Sequence, residues 1–502
     1  MKKLIISLLV FSSIGTFAQG VDDVFRLSNQ NNVFGTARYV SLGGAFGALG
    51  ADFTSLSSNP AGLGVYRSSE FTITPTLKNR INDTKYIGSE YSDSRTRFMF
   101  DNVGLVASFK TMKEEENGLV MVNLGLGYNR IADFYSETTA LGANDIFSQS
   151  ILNSFKDAAT FGGTSYFDLT EADDWDPYRN TNALWETIMA WNTFLIDTVD
   201  GDNSNYFIPL QDGDGINQLQ SISSEGGIGE YTFSIGANFS NKLYAGATIG
   251  LQNVYFSQNI FYQETAFDNN STGDYYLNEM NYNQDLTVEG SGVNFKLGII
   301  YRPIPELRLG LAAHTPTYYS LDETYSATMS SDLNIGTYSA ETPINVYDYK
   351  IETPYRLIGS IAYTFGKMGL ISADYEYVDY STMRFGKGGD GYRFISENED
   401  IKNLFTSAHN FRVGAEVWIG QMALRGGYAY YGSPYNDDLE LSSSATNIYS
   451  AGFGFRVDDV FIDWAYQRVM FGDSYLPFAA SNQIVERDVK QNRFMLTVGF
   501  KF

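Results

Sequence analysis

The chain has 502 residues, with 34 basic against 58 acidic side chains and a formal net charge of −24, a balance that excludes the electrostatics of a nucleic-acid binder. It has no cysteine, so disulfides and thiolate metal sites are excluded, and two histidines, His314 and His409, leave few parts for a triad or a zinc site. The 36 Tyr, 36 Phe and 48 Gly suit a large aromatic-rich β-protein.

Lys2 and Lys3 precede an apolar run from Leu4 to Phe17, and Thr16-Phe17-Ala18 places small residues before Gln19. Residues 1–18 therefore read as a cleaved signal peptide, the run being too short to cross a bilayer as a helix. Residues 19–64 do not read as a strand pair. Gly43-Gly44-Ala45-Phe46-Gly47-Ala48-Leu49-Gly50-Ala51-Asp52 is too small-sided to pack a core alone, yet small residues let a backbone thread a crowded lumen. No strand–helix unit frames it, so it does not read as a phosphate loop. Ser58-Asn59-Pro60-Ala61-Gly62-Leu63 follows, where Pro60 removes a donor and biases Asn59 away from helix, predicting a compact turn.

From residue 65 to 502 strands alternate with short and long connections. Tight turns are expected at 113–117, 240–242, 303–306, 366–369, 420–421 and 458–459, with longer polar segments at 78–96, 136–227, 264–284, 330–345, 385–407, 433–443 and 472–489. That beat predicts an all-β fold, a transmembrane antiparallel β-barrel of about fourteen strands with both termini on the periplasmic side. The segment 136–227 departs from it. Asn144 to Thr160 and Asn182 to Ile196 carry apolar residues at helical spacing, predicting a partly helical outer loop. Its Trp185, Ile188, Trp191 and Leu195 suit either a packed cap or the capture of an apolar ligand. Asp200-Gly201-Asp202 and Asp212-Gly213-Asp214 lack the glycine and the bidentate acid of an EF-hand, so no metal site is expected.

Later strands are two-sided. Val293, Phe295, Leu297 and Ile299 oppose Asn294 and Lys296; Leu307, Leu309 and Leu311 oppose Arg308; Ile371, Ala373, Tyr375 and Tyr377 oppose Asp374 and Glu376; Phe411, Val413, Ala415, Val417 and Ile419 oppose Arg412 and Glu416. In the last strand Phe494, Leu496, Val498, Phe500 and Phe502 oppose Arg493 and Lys501. Lys296, Arg308, Arg412, Arg425 and Arg493 are thus lumen cations able to meet a ligand carboxylate. Asp374, Glu376, Glu416 and Asp463 share that lumen, and bracing ion pairs are the favoured reading. The terminal Phe502 resembles the signal read by outer-membrane assembly machinery, which would make that machinery a partner.

Gly43-Gly44-Ala45-Phe46 leading to Asn59-Pro60-Ala61-Gly62-Leu63 resembles the lumen-plugging hatch and Asn-Pro-Ala motif of the FadL-like long-chain fatty-acid and hydrophobic-compound transporters. Leu307-Arg308-Leu309-Gly310-Leu311 with His314-Thr315-Pro316, and Leu424-Arg425-Gly426-Gly427-Tyr428-Ala429-Tyr430 with Ser433-Pro434, are similar to later strands of that family. The resemblance implies a fourteen-strand barrel, an N-terminal hatch at 19–64 gated by Gly43, Gly44, Asn59, Pro60 and Ala61, and a hydrophobic route to a lateral opening. It implies passive transport of hydrophobic molecules, foremost long-chain fatty acids, by a monomer in the outer membrane of a Gram-negative bacterium. Its partners would be an apolar small molecule and membrane lipid, with no cofactor and no enzymatic activity. The alternative is a structural or adhesive barrel that binds partners through its outer loops. A lipid hydrolase lacks a Gly-x-Ser-x-Gly elbow in context.

Overall fold

The computed structural model describes residues 21–29, 32–111, 117–144, 149–199, 204–211, 213–267, 275–436, 445–478 and 481–502. The expected signal peptide, most of the turn at 113–117, and Asp200, Asp202 and Asp212 lie outside the described residues.

The wall follows the chain. It runs through β1 (Glu70–Tyr86), β2 (Ser89–Lys110), β3 (Leu119–Asp133) continued by β4 (Ser136–Asn144), β5 (Gly215–Phe239), β6 (Leu243–Phe267), β7 (Leu277–Tyr301), and β8 (Leu307–His314) continued by β9 (Tyr318–Leu333). A returning strand is built from β10 (Gly336–Glu341), β11 (Asn345–Glu352) and β12 (Arg356–Thr364); then come β13 (Gly369–Asp379), β14 (Ser407–Ile419), β15 (Met422–Tyr431), β16 (Thr446–Val457), β17 (Val460–Tyr475) and β18 (Val485–Lys501). β18 pairs antiparallel with β1 from Glu70↔Lys501 to Lys85↔Glu486, closing a fourteen-strand antiparallel barrel.

Burial inverts the soluble pattern. Phe295, Leu297, Ile299, Phe411, Val413, Phe494 and Phe500 are exposed on the outer face, while Lys296, Arg412, Glu416 and Arg493 are buried inside. An apolar outer band with a polar lumen is stable only when lipid surrounds it. Exposed Tyr231, Tyr255, Tyr318, Tyr375, Tyr430, Tyr449 and Tyr466 stud the outer surface, the amphipathic rings suited to a membrane–water boundary.

The strands β5, β6 and β7 have 25 residues each, on the order of 80 Å when extended, so the wall continues well past an apolar band of about 25 Å. Above the band the outer face turns to amides: Asn259 donates to Asn283 at 2.9 Å and Gln263 to Asn281 at 2.9 Å. The same extension explains the segment 78–96. It is no loop but a ribbon, β1 and β2 running on to a turn at Ile87-Gly88 with φ of 44° and 76°. Strands standing in water need no apolar face, so their polar sequence looks like loop.

Inside the barrel lie α1 (Val21–Ser28), α2 (Ala37–Ser41), α3 (Ser55–Ser58) and a 3-10 turn (Pro60–Val65). Over its outer mouth sit α4 (Ile151–Phe161) and α5 (Trp185–Asn192), near the helices expected at 144–160 and 182–196. Glu264, buried on β6, accepts from the Ile151 N–H at 2.9 Å, from Gln218 at 2.8 Å, from Tyr262 at 2.8 Å and from the Ser150 hydroxyl, tying the start of α4 to the wall. A further helix, α6 (Ile395–Leu404), stands in the connection 385–407, where only a loop was expected.

Candidate functional site: hatch, lumen cavity and a break in the wall

The hatch is seated against wall glycines because only a missing side chain lets two backbones touch. A Cβ on Gly427 would lie 2.2 Å from the Gly43 nitrogen, one on Gly246 2.2 Å from the Pro60 oxygen, and one on Gly298 1.9 Å from Asn59 Oδ1. Gly43 and Gly44 turn the chain at φ of 63° and 76°, values that favour glycine. Asn59 caps the 3-10 turn by accepting from the Ala61 N–H at 3.1 Å, and donates to the Gly47 carbonyl at 2.6 Å and the Ile299 carbonyl at 3.3 Å. Asp374 on β13 accepts from the Phe46 and Gly47 N–H groups, each at 3.0 Å. The five residues expected to gate the hatch are buried at two places: Gly43 and Gly44 beside β14 and β15, and Asn59, Pro60 and Ala61 against β6 and β7.

The lumen cations mostly brace. Lys296 holds Glu230 through both carboxylate oxygens at 2.7 and 2.5 Å. Arg425 bridges Glu416 and Asp463, both at 2.6 Å, and Arg38 of the hatch shares Glu416 at 3.0 Å. Arg308 donates to the Leu49 carbonyl at 2.5 Å, and Arg493 donates to the Val33 carbonyl at 3.4 Å while lying 3.8 Å over the Phe34 ring. Four of the five are thus occupied by carboxylates or hatch backbone, the bracing reading, and are not free for a ligand. Arg412 is held by longer contacts, 3.4 Å from Glu376 and 3.8 Å from Asp374; its Nε and Nη2 have no hydrogen-bond partner among the described residues, as is also true of Arg308 Nε, Arg425 Nη2 and Arg493 Nε.

Arg412 is one of the residues lining a cavity above the hatch, with Lys296, His314, Arg356, Glu376 and Tyr431 and with Thr54, Ser57 and Ser58 of the hatch. Its open core of about 100 Å³ has room for roughly three waters or a polar headgroup, not for an acyl chain. His314 Nε2 donates to the Ser58 carbonyl at 2.8 Å, so it faces the hatch rather than a cofactor. Around this space Lys296, Arg356 and Arg412 meet three carboxylates, Glu230, Glu376 and Asp374.

Against the cavity lies an apolar chamber formed by Phe256, Tyr319, Leu321, Tyr349, Ile351, Tyr380, Phe385 and Phe405, and α1 occupies it. Val24 and Leu27 are fully buried there, and the Phe25 ring stacks on Phe405 at 5.1 Å. Arg356 donates to the Ser28 carbonyl at 2.9 Å, joining the end of α1 to the cavity.

The wall itself is broken beside the cavity. β2 and β3 pair from Lys110↔Met121 to Asn102↔Asn129 and there part, with a bulge at Ile131. The chain resumes as β4 paired to β5, while Asn82 and Thr84 of β1 bond to β4 from inside. Beyond Asn102, β2 has a ladder partner on one flank, β1. Side chains cross the gap: Arg130 Nε donates to the Phe100 carbonyl at 3.4 Å, Arg97 pairs with Asp133 at 3.2 Å, and Arg95 pairs with Glu225 at 2.6 Å.

Trp185, Ile188, Trp191 and Leu195 correct the capture expectation. Ile188 and Leu195 are fully buried and the two tryptophans pack against the same cluster, so these side chains form the core of the cap itself. The apolar side chains the cap leaves open are others, Phe161 at 83% and Phe167 at 61% exposure. Among the described residues no cluster of His, Asp and Glu could hold a metal ion. The sequence reading missed Arg356, Glu230 and the three arginines of the break. The available signal was Arg95-Thr96-Arg97, two cations on one strand face, hidden by reading 78–96 as loop.

The fold and site define a hatch-plugged transmembrane barrel with a lumen cavity and an interrupted wall. No family model matches the chain, and no curated protein does. Solved structures do. A Pseudomonas aeruginosa FadL homologue is 12% identical, covers 93% of this chain and 98% of its own, and superposes with a TM-score of 0.55. The Ralstonia pickettii toluene transporter TbuX is 15% identical over 94% of this chain and 99% of its own, with a TM-score of 0.50. The chain therefore has the FadL-type fold.

Proposed function

We propose that the protein is a passive outer-membrane channel for hydrophobic molecules and that its preferred ligands are amphipathic, with long-chain fatty acids first among them. The observation that carries this reading is the pairing of an apolar chamber with a cavity lined by the cations Lys296, Arg356 and Arg412. A tail fits the first once α1 leaves it, and a carboxylate fits the second. That the toluene transporter TbuX shares this fold supports the transport of hydrophobic compounds. An uncharged hydrocarbon has no use for the cations, which favours an acid. The hatch would exclude water and ions, and the ligand would leave for the membrane through the break between β2 and β3.

The test is uptake of labelled oleate by cells lacking their own fatty-acid channel, with and without the protein at verified surface density. Uptake should rise, and should fall again with Asn59→Ala, which frees the hatch turn. No rise for oleate at equal surface density refutes the fatty-acid reading.

A further inference from the structure

We propose that Arg468, with Asn447 and Asn492 beside it, is a docking site on the outer wall for the phosphate of an outer-leaflet lipid, whose acyl chains lie along the aromatic strip below. The inference is independent of the transport reading, since it concerns the face turned to the bilayer and not the lumen.

Register places the three side chains. On β17 Asp463 and Gln467 are buried inward, so Trp464, Tyr466 and Arg468 point outward. Arg468 is paired with Tyr449 of β16 on one flank and with Asn492 of β18 on the other. Asn447 and Lys490 are its diagonal neighbours on those strands, roughly 7–8 Å away. The strand from Val460 to Arg468 extends on the order of 25 Å, so Arg468 stands at the upper rim of the apolar band, where lipid headgroups begin.

The groups gathered there are donors. Arg468 Nε meets the Met470 thioether at 3.4 Å, a weak acceptor, and the guanidinium makes no ion pair among the described residues. Asn492 accepts the Tyr466 hydroxyl on its Oδ1 at 2.8 Å, and Asn447 accepts that of Tyr428 at 2.7 Å, which leaves their amide N–H groups to donate. Lys490 is balanced by Asp83 at 2.7 Å, so the charge of Arg468 stands uncompensated. A guanidinium between two amide donors suits a phosphate, whose several oxygens accept its planar fork at two points and the amides at others.

The surface below supplies the apolar half. Phe453 and Trp464 stack at 4.9 Å, the rings of Tyr466 and Phe494 lie 5.1 Å apart, and all four are exposed. This strip is continuous with the lipid-facing band, so the anion that reaches Arg468 comes on an amphiphile already in the membrane and not from solution. A lipid tied there fixes the height of β16, β17 and β18 in the bilayer.

The experiment titrates the purified barrel, in neutral detergent, with lipid A that carries its phosphates and with the same lipid after their removal, and counts bound lipid by native mass spectrometry. The intact protein should prefer the phosphorylated lipid by roughly tenfold or more, the scale of a charge-assisted hydrogen bond. Arg468→Gln should abolish that preference and Arg468→Lys should recover part of it. Lys350→Gln, which removes another outward cation on β11 opposite Ser320, should leave it unchanged. Heat-modifiable migration verifies that each barrel is folded. Equal binding of the two lipids by the intact protein, or a preference that survives in folded Arg468→Gln, overturns the proposal. Displacement of the lipid by inorganic phosphate alone would show a site for free anions and overturn it as well.

Discussion

Gly298 tests whether the hatch is held by shape. A Cβ at this position of β7 would stand 1.9 Å from Asn59 Oδ1, 2.9 Å from its Cγ and 3.2 Å from the Ala61 nitrogen, so Gly298→Ala cannot coexist with the Asn59 side chain as placed. Asn59 then surrenders its bonds to Gly47, Ala61 and Ile299. At about 1 kcal/mol net each, with a further 1–3 kcal/mol for overpacking, the hatch loses about 4–6 kcal/mol of docking free energy. Partial relaxation of the turn halves this, which still raises the undocked population on the order of a hundredfold. The assay is trypsin cleavage at Arg38, whose side chain is held by Glu416 in the closed hatch, together with entry of a large hydrophilic antibiotic. Gly426→Ala is the control, since nothing lies within 4 Å of a Cβ there. Equal protection of Arg38 in Gly298→Ala and Gly426→Ala would refute the reasoning.

Other outcomes follow from single contacts. Arg412→Gln should reduce binding of a fluorescent fatty acid by about tenfold while binding of the matching alcohol changes little, because Arg412 lines the cavity and its ion pairs there are long. Glu264→Ala should free the start of α4 and expose the cap to protease, since four donors converge on that carboxylate; barrel migration on gels should stay folded. Leu297→Lys, at a side chain 62% exposed on the outer face, should destabilise insertion into liposomes by about 2–4 kcal/mol if lipid lies there, measured by denaturant titration.

What the sequence made legible was whatever the bilayer enforces. Asn410 to Ile419 alternates cleanly because lipid outside and ion pairs inside leave each position a single role. The hatch was legible through Gly43-Gly44 and Asn59-Pro60, where the chain needs left-handed backbone or a fixed turn. Partners were not, because they come from register: Glu416 meets Arg425 directly across β14 and β15, a pairing that no local pattern contains. The tall β1–β2 ribbon was missed because both its faces are polar above the membrane. The break at Asp133 to Ser136 carries no Pro or Gly; it arises where β3 bulges at Ile131 and β4 is drawn inward by Asn82 and Thr84, all distant in the chain.

Two parts plug this lumen, and their fastenings differ in kind. The hatch from Val33 onward is bolted to the wall by Arg493 and Gln467 on Val33, Thr497 on Ala37, Asp374 on Phe46 and Gly47, and Asn123 on Leu63 and Tyr66. Moving it breaks many buried polar bonds together, several of them charge-assisted. α1 is held mainly by apolar packing in the chamber, with Val24 and Leu27 as its buried anchors. Removing two such side chains from an apolar site costs about 3–6 kcal/mol, and burying an acyl tail returns about 0.8 kcal/mol per methylene. Roughly four to eight methylenes therefore offset the loss of α1, and a long-chain acid carries more than that, whereas a ring such as toluene carries too little. Deleting residues 21–28 should then raise affinity for oleate on the order of tenfold or more and relax the chain-length threshold so that shorter acids bind. Titration of the truncated and intact proteins with acids of increasing length measures both effects. An unchanged threshold would show that the tail does not enter the chamber that α1 fills.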